Sequence, residues 1–112
     1  MEKGTNINEI FANMENKMIN IEFNSKLWEF VVRDITWSEK NQIISKSANV
    51  DKNNKASSDV NRYNQLYLEK SIVKAPFEMT PTNILKLDAD FGDLLIDKIV
   101  NRKDIEEEEM GN

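Results

Sequence analysis

Thr36, Trp37 and Glu39 bring a hydroxyl, an indole and a carboxylate within four residues, the first constellation in the chain that invites a chemical reading. Catalysis there would need a base or a metal beside the hydroxyl. The 112 residues include no His and no Cys, so there is no imidazole to activate a hydroxyl, no thiolate, and none of the common nitrogen ligands of zinc. The spacing fits a capping box instead: the Thr36 hydroxyl accepts from the Glu39 amide, and the Glu39 carboxylate accepts from the Thr36 amide. Two acidic runs invite comparison with a calcium loop, which needs oxygen ligands at positions one, three and five, Gly at six and Glu at twelve. Asp88-x-Asp90-x-Gly92-Asp93 has Gly at the fifth position and Ile99 at the twelfth; Asp51-x-Asn53-x-Lys55 has Ala56 for the glycine and Arg62 for the glutamate. Both fail the pattern. Glu22, Glu29, Glu39, Glu69, Glu78 and the Asp cluster fall in no catalytic motif, and three glycines leave little room for a phosphate-cradling loop. A non-enzymatic protein without metal or cofactor is expected.

Tyr63, Tyr67, Trp28, Trp37 and Phe77 could stack on bases, but the basic track that should interleave with them is missing and the net charge is -5. They read as core or protein-contact aromatics, with no nucleic-acid partner. The charge is partly local. Arg102 and Lys103 stand against Asp104 and Glu106 to Glu109 in the last twelve residues, and 102–112 is expected to be a disordered acidic tail.

The elements that position these residues follow from periodicity. The length suits one compact domain over 19–100 with a single modest core. Ile7, Ile10, Phe11, Met14 and Met18 recur at spacings of three and four, which predicts an amphipathic N-terminal helix within 1–18 that must dock on something. Ile19, Ile21 and Phe23 alternate with polar residues, and Trp28, Phe30 and Val32 share one face of a second run. A hairpin over 19–35 is predicted, joined at Asn24-Ser25 and resting its aromatic face on helices, with Glu29 and Arg33 on a wetter side. Helices are expected at about 37–48, 59–74, 81–87 and 89–101. The second is capped by Ser58 or Asp59 and stopped before Pro76, the third opens at Thr80-Pro81, and the fourth is capped by Asp88. Between the first two, Val50 to Ser58 reads as a mobile loop or a polar hairpin tip. The fold class is thus α+β, an N-terminal β-hairpin packed on a mainly α-helical domain of about four helices. No run is long and apolar enough to span a bilayer, and Met1 to Asn6 lacks the apolar core of a signal peptide, so a soluble protein that stays in its cell is expected, with no membrane partner.

With the hairpin, the ITWSEKNQII junction (Ile35 to Ile44) and the RYNQLYLEKSIVKAPF helix (Arg62 to Phe77) in view, the order of parts over Ile19 to Val100 resembles the tail assembly chaperones of tailed bacteriophages. In that family a strand pair runs into a polar-aromatic turn with a helix, then a loop, a Tyr-rich helix ending before a proline, and a C-terminal helix. The resemblance implies a non-enzymatic protein, working in the cytoplasm of the infected host cell. It would bind the helical tape measure protein and keep it soluble while tail tube protein polymerises around it. It also implies that a longer, frameshifted form can arise near the end of the reading frame, where the acidic tail lies. A small acidic protein offering an apolar groove suits the physical demand of masking an exposed apolar helix. The expected partner-binding residues are Tyr63, Leu66 and Tyr67, with Phe77, and Ile10, Phe11 and Met14. A hairpin edge and an undocked apolar helix also allow a homo-oligomer. The alternatives are a structural head-to-tail or tail component that stays in the virion, and a small acidic protein that mimics nucleic acid and inhibits a host protein.

Overall fold

A computed structural model describes residues 1–100 of the chain. In order, the elements are strands β1 (Lys17–Phe23) and β2 (Lys26–Val32), helix α1 (Trp37–Ser47), strands β3 (Ala48–Val50) and β4 (Ala56–Ser58), helix α2 (Val60–Ser71), strand β5 (Ile72–Lys74), and helices α3 (Pro81–Leu85) and α4 (Ala89–Val100). The class is α+β, a β-hairpin at the N-terminal end combined with four helices, as the periodicities predict. The acidic tail expected over 102–112 lies outside the described residues.

β1 and β2 pair antiparallel without interruption, from Lys17 opposite Val32 to Phe23 opposite Lys26. Asn24 and Ser25 close the hairpin with φ of 53° and 59°. Two left-handed residues in a two-residue connection match the twist of the strands, and Asn tolerates that conformation better than most residues. β2 is the central strand of the order β1-β2-β5, because Val31 and Val32 also pair with Lys74 and Ile72 across a bulge.

The predicted N-terminal helix does not form. Ile7–Ile10 makes a single 3-10 turn and Met18 belongs to β1, opposite Val31. The asparagines explain it: Asn6 Oδ1 accepts from the Asn8 amide at 3.1 Å, and Asn13 Oδ1 accepts from the Glu15 amide at 3.0 Å. Such local bonds compete with helical ones. The second correction is at the end of α2, expected to reach 74 but stopping at Ser71. There the β-branched Ile72 and Val73 are drawn onto the free side of β2, and the Arg33 amide donates to the Ser71 carbonyl at 2.8 Å. Likewise α1 ends at Ser47, and Val50 to Ser58 resolves as the tip and second strand of a small hairpin, β3 with β4. α3 ends at Leu85, two residues short of expectation, in a tightened last turn where the Leu87 amide donates to the Ile84 carbonyl.

The core lies between the inner face of the β1-β2-β5 sheet and the helices. Ile19, Ile21, Phe30, Val32 and Ile72 of the sheet meet Leu68, Ile84, Phe91, Leu95 and Ile99, and Phe30, Val32 and Leu95 are wholly inaccessible. Phe91 is its aromatic hub, 5.2 Å from the Phe23 ring and 6.5 Å from the Trp28 ring, both edge-on. Trp28 keeps its indole N–H satisfied by donating to the Phe23 carbonyl at 3.1 Å, which lets the ring sit half-buried. The predicted aromatic face of the hairpin is therefore the one turned to the helices.

Candidate functional site

The Thr36–Glu39 junction has the capping-box geometry, with one addition. Glu39 Oε1 accepts from the Thr36 amide at 3.0 Å, and Thr36 Oγ1 accepts from the Glu39 amide at 3.1 Å. Arg33, at the end of β2, donates from Nη1 to Oε1 at 3.0 Å and from Nη2 to Oε2 at 2.8 Å, a bidentate pair. The Arg33 hydrogen bonds, then the Thr36 amide, hold the Glu39 carboxyl down at about 2, well below the usual carboxylate range. Both oxygens are committed to these donors. The junction ties the hairpin to α1.

The calcium-like runs are also employed locally. Asp51 Oδ1 accepts from the Asn53 and Lys55 amides to build the β3–β4 turn, and Asp88 Oδ1 accepts from the Asp90 and Phe91 amides at the start of α4. Among the described residues no group of three His, Cys, Asp or Glu is placed to hold a metal ion. No described helix is long and apolar enough to cross a membrane.

The residues expected to contact a partner are not brought to one place. Ile10, at the end of the 3-10 turn, and Phe11 and Met14 beyond it are exposed, at 80%, 62% and 51%, on a segment held by Asn13, whose amide donates to Asp34 Oδ2 and whose carbonyl accepts from the Asp34 amide. Tyr63 and Tyr67 stack obliquely on α2 with ring centroids 6.0 Å apart, both half-buried; Tyr67 packs against the core, and burial raises its phenol pKa, with Tyr63 adding to the shift. Leu66 lines a shallow cleft between α1 and α2 with Ile43 and Glu69. Phe77 packs edge-on against Phe30 at 6.0 Å and is half-buried against the core. The Tyr63-Leu66-Tyr67 face is thus a seam of the fold in part, whereas the N-terminal segment is open.

Other concave surfaces lie elsewhere among the described residues, two of them with apolar lining. On the outer face of the sheet, Met18, Leu27, Val31, Ala75 and Pro76, rimmed by Glu29 and Lys74, surround a groove of about 430 Å³. Met18 and Leu27 are exposed at 62% and 70%. The alternation held a signal for it, since Leu27 and Val31 are apolar letters on the side read as wet. The second is a pocket of about 240 Å³ between α2 and the start of α4, where Gln65 lies buried among Leu68, Ile84 and Ile96. No sequence signal marked Gln65, because its burial depends on where α3 and α4 pack.

Comparison with protein-family models, with curated proteins and with solved structures gives no match for this chain.

Proposed function

We propose that this protein is a tail assembly chaperone of a tailed bacteriophage, which binds the tape measure protein through apolar surface and keeps it soluble while the tail tube polymerises. Two things support the reading: the order of parts over Ile19 to Val100, and the apolar surface left uncovered. That surface carries the argument. Ile7, Ile10, Phe11 and Met14 lead along the chain to Met18 at the groove of the sheet, and all five side chains stand more than half exposed. Exposed apolar surface of this extent marks a site of association. A net charge of -5 keeps such a protein dispersed while it holds an aggregation-prone client.

Co-expression of the chain with the tape measure protein tests this. The expected result is a soluble complex that co-purifies, and loss of the client to the pellet when Met18 and Leu27 are both replaced by Asp. The double change Leu66→Asp with Tyr67→Asp tests the other face. If the client stays soluble and co-purifies with the Met18/Leu27 variant as well as with the unaltered chain, the outer groove is not the site. If the unaltered chain neither binds nor solubilises it, the chaperone reading falls. Stoichiometric presence of the protein in purified virions would support a structural component instead.

A further inference from the structure

We propose that the pocket between α2 and the start of α4 receives the guanidinium group of an arginine presented by a partner polypeptide. The first observation is Gln65. It is 6% exposed, its Nε2 reaches Glu69 Oε1 only at 3.5 Å, and its carbonyl oxygen accepts no hydrogen bond from any described residue. A buried acceptor without a donor is unfavourable in a folded protein and calls for something that donates to it.

The rest of the lining says what kind of donor. Asp88 and Asp93 stand across the pocket from α2; Asp88 uses one oxygen to cap α4, and Asp93 makes no ion pair or hydrogen bond with any described residue. An occupant that serves both Gln65 and these carboxylates carries positive charge and several hydrogens. A metal ion is disfavoured, because no three acidic side chains among the described residues converge on one point. Leu68, Ile84 and Ile96 give the pocket apolar walls, which suit a methylene stem, and about 240 Å³ accommodates one long side chain. Arginine fits better than lysine: its planar fork has five donors that can satisfy a carboxamide oxygen and a carboxylate together, and it gives up hydration more readily than an ammonium. The partner that presents this arginine need not be the tape measure protein.

Amide NMR spectra recorded while titrating N-acetyl-arginine methylamide, with the citrulline analogue as its neutral isostere, test it. The expected result is saturable shifts of the Gln65 side-chain NH₂ and of the Asn64 and Asp93 amides, with at least tenfold weaker binding of the citrulline compound. Asp93→Asn, a change at an exposed position, should weaken binding about tenfold at an unchanged melting temperature. Gln65→Leu should abolish the saturable shifts while raising the melting temperature, since it replaces an unsatisfied buried amide with an apolar group of similar size. The proposal is overturned if arginine and citrulline compounds act alike or neither binds, if calcium chloride reproduces the shifts, or if Gln65→Leu melts earlier and still binds.

Discussion

Glu39 joins the end of β2 to α1 through its bidentate pair with Arg33 and its bond to the Thr36 amide, and its titration should be visible in the stability of the whole. Its folded pKa, about 2, is lower than its ordinary value of 4.5. The stabilisation is therefore complete above about 4.5 and is lost as pH falls through the folded value. Chemical denaturation from pH 7 to pH 2 should show Glu39→Gln less stable than the unaltered chain at neutral pH, with the difference closing towards pH 2. Thr36→Ala removes the other half of the cap and should cost about 1 kcal/mol at pH 7. At Ser25 the sign reverses: a φ of 59° strains any residue with a side chain, so Ser25→Gly should raise stability by about 0.5–1 kcal/mol in the same assay. The capping box was legible because Thr36 and Glu39 are local in sequence. Arg33 as its third member was not, because its place depends on the path the chain takes out of β2. Gln65 was equally hidden, a polar letter on a helix whose burial is decided by distant elements.

Among the elements, β2 and α4 meet at the centre of the core, through Phe30 and Phe91 with ring centroids 6.1 Å apart. Phe30 is wholly buried, and Phe30→Ala should cost about 3–5 kcal/mol in equilibrium denaturation. Strands and helices with strong periodicity were readable, and so were starts with a chemical signature: Thr80 accepts from the Asn83 amide ahead of Pro81, and Asp59 accepts from the Arg62 amide at the head of α2. Ends were less so. Ile72 and Val73 continue the apolar stripe of α2, and only the unpaired side of β2 diverts them into a strand. The N-terminal stripe misled in the opposite direction. Its spacing is helical, but the asparagines between its apolar residues bond to the nearby backbone instead.

At the scale of the molecule, the N-terminal segment differs from the packed body in leaving its large apolar side chains exposed. Before Asn13 the segment's large apolar side chains are open to solvent, so deleting residues 1–12 should leave the melting temperature nearly unchanged while lowering the yield of soluble co-expressed tape measure protein. A large fall in melting temperature would place those side chains in the fold of the body. The sequence carried the apolar letters of this surface but could not show that they remain uncovered, since exposure is a property of the finished packing.

The β3–β4 hairpin offers a practical handle on such experiments. Its strands and its tip are exposed throughout, and the turn is held by Asp51 and by Asn54 at a φ of 60°. It lines neither the sheet groove nor the α2–α4 pocket. Because the chain has no cysteine of its own, Asn53→Cys would create a single thiol there, and a fluorophore attached to it would report binding in real time without touching either surface.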